Sequence, residues 1–422
     1  MAAVLALGVA AGAAPQDSAG VTSDTSVATD TGVTADTEVT TASNLPAPPA
    51  VSAQAWAVYD GVDGTRLAGV APADARPIAS LTKVMTALVV TKRTAGDEQV
   101  RVSKGALAVG DGAAMGLKAG ERYELDALLQ AMLVYSANDA ANALAEYVGD
   151  DTAGFVKMMN DEAEALGLRS STFTSPTGLD PERGSEATES SPADLFELAQ
   201  IAMKEPRIRE AVRLEQAEVK RRGAEPIVVG NRNPLVGTYA GVDGIKTGHT
   251  NAAGYCLLTH YDDAENRELY VVVLGAKSEA ARAADTRALL DWAVPLRQNV
   301  EIAAAGDVLG TAPVSGSRDQ VQLFLSEDVR VSVRAGESVT ERYVLPVPVK
   351  PPLREGDEIG TFQLVVDGEV AASSPVYVDR SIREPSQWER IETAARDWRG
   401  AVAAGRSSVE RGSKRLRQGL GV

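Results

Sequence analysis

The run Ala55-Trp56-Ala57-Val58-Tyr59-Asp60 is a strand-length apolar segment whose counterparts lie far downstream, at 242–247, 255–260 and 268–274. Between them the pattern is helical. Leu81, Val84, Met85 and Leu88 fall at i, i+3, i+4 and i+7, one apolar face. Helices are predicted over 125–133 and 139–148, and a third carries the stripe Phe155, Met158, Met159, Ala163 and Leu166, stopped by Gly167. Ser191-Pro192-Ala193-Asp194 opens a fourth with a hydroxyl cap, a proline and an acidic first turn. A helix over 279–294 closes the unit. Strands at both ends of a helical middle require one sheet that joins the two ends of the segment. The domain is therefore expected to span 51–298 and to combine an antiparallel sheet with a helical subdomain, an α/β (α+β) architecture.

The flanks read differently. Short β-like runs at 321–325, 329–333, 342–347, 360–366 and 375–378, broken by Gly, Pro and Asp, predict a small all-β, sandwich-like domain over 299–381. Residues 15–50 are Thr, Ala, Ser and Asp with few large apolar side chains, and read as a disordered linker. Residues 1–14 are small and apolar, with Ala11-Gly12-Ala13 in the form of a signal-peptidase site but no basic start. They are read as the remnant of an export signal, which places the protein outside the cytoplasm.

The inventory of reactive side chains is short: two histidines, His249 and His260, and one cysteine, Cys256. A Ser/His/Asp triad has little to draw on, and a Cys/His pair no more. A formal net charge of −16 argues against a nucleic-acid partner, which needs basic surface against phosphate. A covalent enzyme made from this chain would most naturally pair a serine with a lysine base.

Three short motifs supply that chemistry: Ser80-Leu81-Thr82-Lys83, Ser136-Ala137-Asn138 and Lys246-Thr247-Gly248. Ser80 is expected at a helix start, with Lys83 one turn on and facing the same way, within reach of its hydroxyl. A lysine serves as a base near neutral pH only if desolvated or set beside another cation, a part Lys246 can play. Ser136 can relay a proton to a leaving amine, and Asn138 can orient Lys83 and a substrate amide. Thr247 and Gly248 fall on a predicted strand edge where an extended peptide can add. The backbone N–H groups of Ser80 and His249 can bind an oxyanion. Singly, each motif has a plain structural reading: a helix cap and a solvated lysine, a second cap leading into Asp139, a surface turn. Their order, and the elements they fall on, favour the catalytic reading.

With those motifs the sequence resembles the low-molecular-weight penicillin-binding proteins that are serine-type D-alanyl-D-alanine carboxypeptidases. Pro77-Ile78-Ala79-Ser80-Leu81-Thr82-Lys83-Val84-Met85-Thr86 is similar to their nucleophile helix, and Ser136-Ala137-Asn138-Asp139-Ala140 to their second motif, where Ala137 stands in place of the usual glycine. Thr177-Gly178-Leu179-Asp180 is similar to a loop near their site. The stretch from Val242 through Lys246-Thr247-Gly248-His249-Thr250 to Ala253-Gly254-Tyr255 is the most specific. The resemblance covers about residues 52–381 and implies the penicillin-binding-protein/β-lactamase-like transpeptidase fold followed by the family's second, β domain. It implies that Ser80 attacks the bond between two D-alanines of a peptidoglycan stem pentapeptide, with Lys83 as base, Ser136, Asn138 and Lys246 assisting, and Thr247, Gly248, His249 and Arg282 binding substrate. Arg282 corresponds to an arginine that holds the terminal carboxylate. β-Lactam antibiotics would be covalent inhibitors, and neither metal nor organic cofactor is implied.

Neighbouring activities remain in view. A class A β-lactamase calls for a Glu in a Glu-x-x-Leu-Asn context, which this chain lacks, and leaves the β domain without a reason. A D,D-endopeptidase would cut cross-links, and a scaffold could keep the fold without the chemistry, although every matched polar residue is present. Beyond the β domain, 382–422 is predicted helical: Trp388, Ile391, Ala395, Trp398, Val402 and Val409 form one stripe, and Arg406, Arg411, Lys414, Arg415 and Arg417 make its end basic. Such a helix suits peripheral attachment of residues 386–422 to an anionic membrane surface, here the outer face of the inner membrane.

Overall fold

A computed structural model describes residues 33–40, 45–109, 112–180, 186–221, 224–265, 267–334 and 337–396. The expected export segment 1–14 and the end of the tail, 397–422, lie outside the described residues. The described residues form two compact units, one within 46–297, the other of those from 298 onward together with those before 46.

The first unit is built on a five-stranded antiparallel sheet ordered Val242–Thr250, Gly254–Asp262, Glu268–Ala276, Ala55–Asp60, Arg66–Val70. The sheet joins the two ends of the unit, as the strand pattern required: Val273 pairs with Trp56 and Val271 with Val58. Both faces are covered, so its central strands are apolar along most of their length. Tyr270, Val272 and Leu274 face one core with Ala55, Ala57 and Cys256. Leu269, Val271 and Val273 face the other with Trp56, Val58 and Leu257. Period-2 alternation along a strand buried on both sides produces these two cores.

Helix α1 (Lys83–Thr91) is buried at every position, the centre of the helical layer. Around it lie α2 (Leu125–Val134), α3 (Asn138–Gly149), α4 (Thr152–Ala165), α5 (Pro192–Lys204) and the short α6 (Pro206–Val212). Helix α7 (Glu279–Ala293) covers the opposite face through Leu289, Leu290 and Ala293. The predicted cap of α5 acts where expected, with Ser191 Oγ accepting from Asp194 N, and α7 is capped in the same way by Ser278, whose Oγ accepts from Ala281 N. A hairpin of Gln216–Arg221 and Ala224–Gly230, absent from the sequence reading, follows α6.

Two expectations are corrected. Ser80 is not a helix cap; it lies in a 3-10 turn, Ala79–Thr82, that precedes α1, and no side chain caps that turn. Part of the segment read as a linker is a strand: Val33–Thr40 pairs antiparallel with Ser338–Leu345, Val33 opposite Leu345 and Thr40 opposite Ser338. Edge pairing uses backbone groups, so a Thr-rich segment that cannot form a core can still complete a sheet.

In the second unit this strand edges a six-stranded sheet continuing through Glu358–Val366, Glu369–Val378, Gln320–Leu325 and Val308–Pro313. A two-stranded sheet, Arg297–Ala303 with Val329–Arg334, adds Val329, Val331 and Val333 to a core that also holds Val321, Leu323, Phe362, Leu364 and Val376. Residues 387–396 are helical.

Candidate active site

The three motifs converge on one cleft of about 920 Å³ in the first unit. Ser80, Ser136 and Asn138 line one part of it, and Thr247, Gly248 and His249 another. Lys83 and Lys246 lie beneath, 0 % and 1 % exposed. Ser80 and Lys83 flank the junction of the 3-10 turn with α1, and Lys83 Nζ is 2.8 Å from Ser80 Oγ. The same amine donates to Asn138 Oδ1 at 2.7 Å and to the Thr177 carbonyl at 2.8 Å.

Asn138 is free to do this because its side chain does not cap α3; the cap position is Ala137. Ser136 before it takes φ 69° and Ala79 before Ser80 takes φ 49°, both in the left-handed region that non-glycine residues seldom occupy. Both sharp turns aim a hydroxyl-bearing residue at the cleft. Asp139 secures the adjoining wall. Its buried carboxylate accepts from the N–H groups of Met115, Gly116 and Leu117 at 3.1, 3.0 and 3.1 Å. Asn138 N donates to the Ala113 carbonyl at 2.7 Å.

The Thr177–Gly178 turn presses on the nucleophile turn from the other side. A Cβ at Gly178 (φ +72°) would sit 2.0 Å from the Ala79 carbonyl oxygen. The strand edge is also close: a Cβ at Gly248 would come within 2.9 Å of the Ile78 carbonyl oxygen and 3.2 Å of Ser80 N. Glycine at 248 is what allows the Val242–Thr250 strand to lie against the Ser80 turn.

Electrostatics follow from burial. Desolvation, then the Arg232 guanidinium, bring Lys83 down from 10.5 to about 7. Lys246 is lowered well below the ordinary lysine range, by burial first and then by Lys83, Arg232 and Arg282. The second cation depressing Lys83 is thus Arg232 rather than Lys246, which itself feels Lys83. Lys246 Nζ donates to the Thr247 carbonyl at 2.9 Å. Arg232 stacks over Tyr135, its guanidinium carbon 4.5 Å from the ring centre. No spacing in the sequence singles it out.

Arg282, in the first turn of α7, also lines the cleft. It is 3 % exposed and close to the Gly248 carbonyl (3.4 Å) and Glu279 Oε1 (3.1 Å). His249 is exposed and stacked on Tyr255 with ring centres 4.0 Å apart. Every site residue expected from the sequence therefore lies at or directly under this cleft. His260 and Cys256 do not line it.

Comparison with known proteins gives the geometry a family. Residues 38–278 match the D-alanyl-D-alanine carboxypeptidase peptidase family, and residues 298–384 match the penicillin-binding protein 5 C-terminal domain. This chain belongs to the D-alanyl-D-alanine carboxypeptidase family. Among its curated relatives, the carboxypeptidase DacC of Escherichia coli is 30 % identical over 359 residues, covering 81 % of this chain and 87 % of the relative. DacF of Bacillus subtilis is 29 % identical, covering 76 % and 83 %. The solved penicillin-binding protein 6B of Escherichia coli aligns at 28 % identity and a TM-score of 0.58, covering 79 % of this chain and 99 % of that one. The mixed α/β transpeptidase-like fold with a small C-terminal β domain is that of the carboxypeptidase family.

Proposed function

We propose that this chain removes the terminal D-alanine from peptidoglycan stem pentapeptides through an acyl-enzyme on Ser80. It is a serine hydrolase of the D-alanyl-D-alanine carboxypeptidase family, whose members handle peptidoglycan and bind penicillins. One observation carries the assignment of roles: Lys83, fully buried and brought down to about 7, sits 2.8 Å from Ser80 Oγ with two fixed acceptors on its other sides. A neutral amine has two N–H groups and one lone pair. Asn138 Oδ1 and the Thr177 carbonyl accept the two hydrogens, leaving the lone pair to the Ser80 hydroxyl.

The step then balances. Ser80 Oγ bonds to the carbonyl carbon between the two D-alanines as its proton passes to Lys83 Nζ. The oxyanion meets the N–H groups of Ser80 and His249. Ser136 relays the proton held on Lys83 Nζ to the leaving nitrogen, the C–N bond breaks, and D-alanine departs with its amine restored while Lys83 is left neutral again. Water then attacks the ester, freeing the shortened peptide and returning the proton to Ser80. Arg282 provides positive charge where the substrate carboxylate lies, Lys246 offers N–H donors beside the oxyanion, and Thr247 and Gly248 hold the peptide by strand addition. A β-lactam follows the same path to the acyl stage. Mass spectrometry after exposure to benzylpenicillin tests this. An adduct on the Ser80 peptide, missing in Ser80→Ala, is expected; an adduct elsewhere overturns the role of Ser80.

Extracytoplasmic placement is that of the family. The tail offers a peripheral contact: on the 387–396 helix Trp388 is 81 % exposed and Ile391, one turn on, 58 % exposed. No helix among the described residues is long and apolar enough to cross a membrane. Deleting residues 386–422 is expected to leave pentapeptide hydrolysis unchanged and to abolish sedimentation with anionic vesicles. Full-length protein that never sediments rules the contact out.

A further inference from the structure

The strand that carries Lys246 contains one residue more than its partner accounts for. Val242 pairs with Tyr261 and Gly244 with His260, so Asp243 is bulged out of the ladder. From Gly244 to Thr250 the pairing is then one for one. Side chains alternate along a strand, so a single extra residue decides the face taken by everything after it. With the bulge in place, Lys246 lies opposite Leu258, whose side chain belongs to the core of α1 and its neighbours, on the side where Lys83 is buried. A one-residue slip would send Lys246 towards the α7 face.

Asp243 is held from two directions. Its Oδ1 is 2.5 Å from His260 Nδ1, and its Oδ2 is 3.7 Å from Arg209 Nε. His260 is itself clamped: its Nε2 is 3.1 Å from Glu268 Oε1, which also accepts from Tyr270 Oη at 2.8 Å. The ring is 2 % exposed and lies 4.8 Å from the Tyr270 ring, centre to centre. The ionisable groups that meet it are therefore Asp243 on its own sheet edge, Glu268 and Tyr270 on the next strand, and Arg209 from α6, which also pairs with Asp262 at 2.8 Å. On the far side of the bulge Asn233 Nδ2 donates to the Gly244 carbonyl at 3.0 Å. A buried imidazole between two carboxylates is far more than a strand needs for pairing, and it stands at the bulge of the strand that carries Lys246.

We infer that His260 is a positioning residue for acyl transfer: gripped by Glu268, it pins the Asp243 bulge and so fixes the face on which Lys246 and the Thr247–Gly248 edge meet the Ser80 cleft. This rests on the Ser80 reading above. Burial alone would lower the imidazole's pKa, but the two carboxylates prevail and bring it to about 9, so the grip is between charges through the neutral range.

The test uses the full chain and benzylpenicillin acylation rates, measured beside thermal melting. His260→Leu should melt cooperatively and acylate about 100-fold slower, the scale of loss for a catalytic group moved by about 1 Å. His260→Asn, which keeps a donor towards Asp243, should recover most of that loss. Should His260→Leu fail to fold, Asp243→Asn serves, with about a 10-fold loss expected on the same grounds. In wild type the rate should fall above pH 9, and this limb should vanish in His260→Asn. A folded His260→Leu, or in its place a folded Asp243→Asn, that acylates at the wild-type rate overturns the inference while leaving Ser80 in its role. Wild type that takes no penicillin on Ser80 overturns both.

Discussion

Lys83 sets the pH behaviour of the site. In an unfolded chain its amine titrates near 10.5 and in the cleft at about 7. The folded state therefore binds fewer protons between those values, and this group's penalty on stability is complete below pH 7 and relieved as pH rises towards 10.5. With Lys83 as the proposed base the neutral form is the active one, so the acylation rate should climb from pH 5.5 to 8 with its midpoint near 7. Arg232→Gln removes a positive neighbour, favours the charged amine and should move that midpoint upward. A pH–rate series with a fluorescent penicillin reads both, and a flat profile would exclude Lys83 as base. The pairing of Ser80 with Lys83 was legible as an i, i+3 relation on one turn. The part played by Arg232 was not, because nothing in its neighbourhood announces a residue that acts by charge through space.

Helices in the first unit follow local pattern closely: α2, α3 and α4 begin and end within a few residues of the predicted spans, and α5 begins at its predicted cap. What pattern could not show is how their ends are tied. Asp139 begins the helix predicted over 139–148. It is also the anchor of the Met115–Leu117 backbone, bonding three N–H groups that no helix supplies. Asp139→Ala should cost about 3 kcal/mol, the scale for losing charge-assisted bonds and stranding buried donors. Denaturant unfolding measures this, and hydrogen exchange at residues 115–117 should quicken with it. Unchanged stability would mean the wall is held by something else.

At the scale of the whole molecule, the residues before the catalytic unit have a structural task. Val33–Thr40 closes the edge of the sheet at Ser338–Leu345, along eight residues of pairing. Removing residues 1–40 would leave that edge open, and open edges pair with other chains. The truncated protein should show concentration-dependent association by analytical ultracentrifugation, with Ser80 acylation retained; a monomer at every concentration would show that the edge needs no cover.

Local chemistry in the sequence was enough to predict most of the elements of the first unit, the order of the motifs and the proposed pairing of Ser80 with Lys83. Those are properties of residues one to four positions apart, where backbone geometry dictates who faces whom. Packing decided the rest. That Lys83 loses its charge near neutral pH, that Asn138 rather than a cap function claims its neighbour, that Arg232 joins the cations and that a bulge at Asp243 turns Lys246 inward all depend on which distant segments exclude water together. Desolvation and through-space charge scale with distance in the folded chain, and separation along the sequence does not encode that distance.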